Sequence, residues 1–120
     1  VDYRKSSVFM KKHPIIKRAL DMFKLQNKDN LILLIFGSWA TGEETSKSDI
    51  DLLIVKSDIS KNEIKTAESI FGLINGRTGL NISPYLMTLD DMRKKTDFVK
   101  EIIENHIMIE GSELFYEVVI

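Results

Sequence analysis

A continuous apolar run, Leu31-Ile32-Leu33-Leu34-Ile35-Phe36, ends abruptly on Gly37-Ser38. The run is too short for a typical buried helix and does not alternate with polar residues, so it predicts a strand covered on both faces. Such a strand requires helices on either side of a sheet. Upstream, Pro14 sits where a first helical turn tolerates it, and Ile15, Ile16, Ala19, Leu20, Met22 and Phe23 recur at helical spacing. Residues 1–12, polar with scattered Tyr3, Val8, Phe9 and Met10, are expected as an extended N-terminal arm or linker remnant.

Downstream, Asp49-Ile50-Asp51-Leu52-Leu53-Ile54-Val55 predicts a second buried strand. Ser60 with Glu63 has capping-box spacing, and Ile64, Ala67, Ile70, Phe71 and Ile74 give the following helix its apolar face, closed at Asn75-Gly76-Arg77. Leu80–Met87 is a third strand, with Pro84 arguing for an edge or a bulge. Thr88 with Asp91 opens a helix that Phe98, Ile102, Ile103 and His106 continue as one stripe. Ile107-Met108-Ile109 is a short strand before Gly111 and an apolar tail. The order α-β-β-α-β-α-β implies an α/β (α+β) fold with helices packed on a sheet.

Length and composition narrow the function classes. The 120 residues suit a single domain over 1–120. Lys+Arg 17 against Asp+Glu 18 leaves no global basic field for nucleic acid. With Cys 0 there is no disulfide framework, thiolate metal site or cysteine nucleophile, as expected of a reducing, cytoplasmic setting. No apolar run is long enough to span a bilayer, so no membrane partner is expected. The chain begins on Val1 rather than Met, as expected of one trimmed or excised from something longer.

Two motifs carry chemistry. At Gly37-Ser38 a glycine at a strand exit lets the backbone turn sharply and approach a ligand, and Ser38 is placed to cap a short helix whose free N–H groups would face a phosphate. The same pair also reads as a plain strand-to-helix turn. Asp49 and Asp51 leave one face of a strand about 6.6 Å apart along it. Two carboxylates there are either solvated residues at a strand start or ligands for a hard cation such as Mg²⁺, which takes one or two carboxylates plus substrate phosphates. An EF-hand is excluded, since apolar residues follow Asp51.

Gly37-Ser38-Trp39-Ala40-Thr41-Gly42, then ten residues between Ser38 and Asp49, then Ser48-Asp49-Ile50-Asp51-Leu52-Leu53, resembles the nucleotidyltransferase superfamily of DNA polymerase beta, and in particular its minimal single-domain members. The resemblance implies the nucleotidyltransferase fold, a mixed β-sheet of four to five strands with helices packed on it. It implies nucleotidyl transfer from a nucleoside triphosphate, ATP by expectation, to a hydroxyl acceptor with release of pyrophosphate. Gly37, Ser38, Thr41 and Gly42 would then contact the phosphates, and Asp49 and Asp51 would act as catalytic residues binding Mg²⁺. Trp39 is expected to pack rather than to stack on a base.

The chain departs from the pattern once. Active members carry a third acid on a later strand, and Leu80–Met87 has none: Asn81, Ser83 and Tyr85 share one of its faces. The resemblance therefore leaves two expectations open. One is an active transferase. The other is a catalytically silent module that senses a nucleotide, acts like an antitoxin, or serves a transcription regulator. A helical partner protein, a homodimer or a winged-helix module would complete either. Arg4-Lys5-Ser6-Ser7-Val8-Phe9 followed by His13-Pro14 resembles the end of a wing and its linker.

Overall fold

Helix formation begins earlier than the pattern suggests. The computed structural model describes residues 3–119, with the side chains of Tyr3 and Arg4 left aside. Tyr3–Lys12 is a helix, α1, so the expected extended arm is corrected over its described part. The reason is tertiary. Ser6 and Phe9, three apart, share a helical face. Phe9 is buried, and Ser6 Oγ donates to the carbonyl oxygen of Met108 at 2.6 Å. Val1, Asp2 and Ile120 lie outside the described residues. Pro14–Gln26 forms α2, with Pro14 in the first turn, where a missing N–H costs nothing.

Four strands follow: β1 (Ile32–Phe36), β2 (Ile50–Lys56), β3 (Ile82–Thr88) and β4 (Ile107–Glu110). Their order is β3-β2-β1-β4. β1 runs antiparallel to both β2 and β4, and β2 runs parallel to β3. The sheet is thus mixed, as the resemblance implies. Central β1 is buried throughout, and Pro84 lies on edge strand β3, where a lost donor is tolerated.

Alternation along the strands sorts side chains into two cores. Leu33, Ile35, Leu52 and Ile54 face α2 and α4 (Lys61–Thr78), whose Phe23 and Phe71 rings pack 4.6 Å apart. Ile32, Leu34, Phe36, Leu53 and Val55 face the other way, onto Met92 of α5 (Leu89–Arg93), Val99 and Ile102 of α6 (Asp97–Glu104) and Phe115 of α7 (Ser112–Val119).

Capping decides the helix ends. Ser60 Oγ accepts from Glu63 N–H at 3.2 Å and Thr88 Oγ1 from Asp91 N–H at 3.1 Å, as the spacing predicts. Gly76 does not end α4. The helix runs to Thr78 and closes on Gly79, whose φ of 76° suits glycine. Asn75 holds that last turn in place by pairing its side chain with both the N–H and the carbonyl of Ile82. The single helix expected from Thr88 to His106 is two. Lys95 turns to φ 49°, and Thr96 caps a new start by accepting from Val99 N–H at 3.3 Å.

The polar break at 27–30 is pinned by a buried lysine. Lys56 Nζ, at the end of β2, donates to Asp29 Oδ1 at 2.7 Å and Asn27 Oδ1 at 2.9 Å. Among the described residues no helix is long and apolar enough to cross a membrane.

Candidate functional site

β1 delivers the chain to Gly37, which takes φ 75° and ψ −153°, a region that only glycine enters readily. Gly37 itself is the N-cap of α3 (Ser38–Thr41), and no side chain caps it. The expectation that Ser38 caps this helix is therefore corrected: Ser38 is its first residue. The Ala40 and Thr41 N–H groups return to the Gly37 carbonyl at 3.0 and 3.1 Å. Thr41 Oγ1 donates to the Ser38 carbonyl at 3.2 Å, and Gly42, at φ 81°, closes the turn on the same oxygen. Trp39 packs. Its Nε1 donates to the Ser48 carbonyl at 3.3 Å, and its ring stands edge-on to His13 at 5.2 Å.

The antiparallel register of β1 and β2 pairs Phe36 with Asp51 and so sets Gly37 beside the Asp51 carboxylate. The parallel register of β2 and β3 pairs Asp51 with Ser83. Asp49 lies one residue before β2. It accepts from the Asn81 side-chain amide, and from Ser83 Oγ at 3.4 Å. Amide and hydroxyl thus meet Asp49 from the start of β3 and the residue before it, the segment in which the resemblance leads one to expect a third acid. Asp51 is half-buried, on the face of β2 that carries Leu53 and Val55. Burial, and secondarily the charge of Asp49, pushes its carboxyl above the usual carboxylate range.

A cavity of about 290 Å³ opens beside this carboxylate. Gly37, Thr41 and Asp51 line one wall; Phe98, Glu101, Ile102 and Asn105 of α6 and its C-cap line the other. Ser38, Gly42 and Asp49 are not part of that lining. Gly42 borders a second, open basin of about 330 Å³, which Thr41 also lines, with Lys12, His13 and Trp39. Sequence reasoning missed Glu101 and Asn105. Only their spacing from Phe98, at i+3 and i+7, hinted at a shared face.

Among the described residues no three His, Cys, Asp or Glu side chains cluster as a metal cage. The donors present are the carboxylates of Asp49 and Asp51 with the Ser83 hydroxyl beside them. This all-oxygen set, with two like charges on one strand face, fits a hard cation that completes its shell with phosphate and water.

The polymerase beta nucleotidyltransferase family model matches residues 19–114, which include α3, all four strands and the paired aspartates. The chain belongs to this family. A protein of Methanocaldococcus jannaschii named "Putative protein adenylyltransferase MJ1305" is 34% identical over 86 residues, covering 68% of the chain and 58% of the relative. The chain therefore matches little more than half of that relative's length. Family membership accounts for the mixed sheet with helices packed on it.

Proposed function

We propose that the chain is a Mg²⁺-dependent nucleotidyltransferase domain over 1–120 that binds a nucleoside triphosphate and transfers its nucleoside monophosphate to a hydroxyl acceptor. The observation that carries this reading is the approach of the Gly37 backbone to Asp51, with Asp49 two residues earlier, hydrogen-bonded to Asn81 and Ser83. ATP is the proposed donor, supported by the name of the archaeal relative.

In this reading Asp49 and Asp51 hold Mg²⁺, which neutralises charge on the phosphate oxygens. Gly37, Ser38, Thr41 and Gly42 form the phosphate-contacting turn. Having no side chain, Gly37 keeps the space in front of Asp51 open. Asn81 and Ser83 orient Asp49 through their hydrogen bonds. The acceptor oxygen forms a bond to the α-phosphorus as the bond to the bridging oxygen of pyrophosphate breaks, and the hydroxyl proton passes to solvent. The protein's contribution is positioning and charge neutralisation rather than covalent chemistry. A helical partner protein, a winged-helix module or a second copy of the chain is proposed to carry the acceptor surface.

A second reading, a silent nucleotide sensor, is favoured by one observation: Asn81 and Ser83 meet Asp49 where the family has an acid. One experiment separates the two. The chain is incubated with labelled nucleoside triphosphates, Mg²⁺ and candidate acceptors, including itself and a co-purifying partner, beside the Asp49→Ala/Asp51→Ala variant. Transfer that disappears in the variant supports the enzyme; triphosphate binding without transfer supports the sensor. Transfer that survives the double substitution removes the site assignment.

A further inference from the structure

α6 presents an unusual face to the cavity beside Asp51. Phe98, Glu101, Ile102 and Asn105 fall at i, i+3, i+4 and i+7, so a single helical stripe lines the wall. A stripe serving packing alone would be apolar and covered. Here Ile102 is buried, but Phe98 is 39% exposed and has a carboxylate and an amide beside it. The Phe98 ring stands edge-on to Phe36 at 5.3 Å, which steadies it while leaving part of it accessible. Among the described residues the cavity lining includes Asp51 and Glu101 and no cationic side chain. A triphosphate lying along α6 would meet repulsion; an uncharged ring would not.

We infer that this cavity is the nucleobase subsite of the bound nucleoside triphosphate and selects bases that carry an exocyclic amine, rather than a carbonyl, at the position of adenine N6 or cytosine N4. The inference rests on the nucleotidyl-transfer reading and assigns it the residues that recognise the base. Phe98 supplies a π-face on which any base can stack. The Glu101 carboxylate, an acceptor only, takes a hydrogen bond from an exocyclic amine and repels a carbonyl at the same place. The Asn105 amide offers both a donor and an acceptor to the base edge, as asparagine does with adenine. The cavity, about 290 Å³, lies at the small end of ligand pockets, suited to a single ring system with Asp51 and the Gly37 turn at its other wall.

The test is calorimetric titration of the full chain with Mg²⁺ and ATP, GTP, CTP, UTP or inorganic tripolyphosphate. ATP and CTP are expected to bind roughly tenfold or more tightly than UTP and GTP, whose bases carry a carbonyl where adenine and cytosine carry the amine. Phe98→Ala should weaken ATP roughly fivefold or more and leave tripolyphosphate unchanged. Glu101→Gln and Asn105→Ala should narrow the gap between ATP and UTP. All three positions are exposed, so the variants are expected to fold. If the wild type binds all four nucleotides equally, the amine selectivity is wrong. Should the variants bind ATP as the wild type does, or lose tripolyphosphate in equal measure, the cavity does not hold the base, while the phosphate-and-metal reading stands. Failure of the wild type to bind any of the five with Mg²⁺ overturns both readings.

Discussion

A methyl group at Gly37 would meet Oδ2 of Asp51 at 2.5 Å, closer than real carbon–oxygen contacts allow. Gly37 also holds φ 75°, so a side chain there is strained even before the clash. Gly37→Ala is expected to cost about 1–3 kcal/mol and to displace the Asp51 carboxylate. Urea denaturation checks the first effect. Titration with Mg²⁺ and ATP checks the second, which should exceed what the stability loss explains.

Asp51→Asn should stabilise the ligand-free protein at neutral pH. The folded state raises this carboxyl above its ordinary 3.8, through burial first and the charge of Asp49 second. Between those values the folded state binds more protons than the unfolded one, so stability falls as pH rises through the window. The asparagine variant escapes that loss. Thermal melts from pH 3 to pH 8 should show its advantage appearing above about pH 4 and shrinking when Mg²⁺ is added to both proteins.

Ser83→Asp places a third carboxylate opposite Asp51 in the parallel register. Without metal the added like charge should cost up to about 1 kcal/mol. With Mg²⁺ the variant should bind the cation more tightly than the wild type, and its nucleotidyl transfer should rise. A variant that gains no Mg²⁺ affinity by calorimetry contradicts the proposed metal site.

Asp29→Ala removes the closer of two acceptors from the buried Lys56 ammonium. Lys56 holds the Asp29 carboxyl below its ordinary 3.8, so the pair contributes above that value and is lost as pH falls through the lowered one. Asp29 is 75% exposed, which limits the contribution to about 0.2–1 kcal/mol. Comparing wild-type and variant denaturation at pH 7 and pH 3 should show the difference closing under acid.

Ser60→Ala deletes the cap of α4 and should cost about 1 kcal/mol. The cap lies beyond the opposite end of β2 from Asp51 and lines no wall of the cavity beside Asp51, so Mg²⁺–ATP affinity is expected to stay unchanged.

Much of this protein is local and therefore legible in its sequence. The apolar run ending at Gly37, the alternation of Asp49 and Asp51, and the caps Ser60 and Thr88 are each specified within a few residues. Short-range sterics and hydrogen bonds act at that range, and the spacing alone located the strands, the starts of α2, α4 and α5, and the paired acids. Tertiary structure decided the rest. Residues 3–12 became a helix because Phe9 and Ser6 found partners in the sheet and in Met108, about a hundred positions away. Asn81 and Ser83 reached Asp49 only through the parallel register of β2 and β3. Glu101 and Asn105 came to face Asp51 only because Val99 and Ile102 buried α6 against the sheet. Periodicity determines that a helix has an apolar face, but only packing against a distant strand decides what its remaining face looks upon.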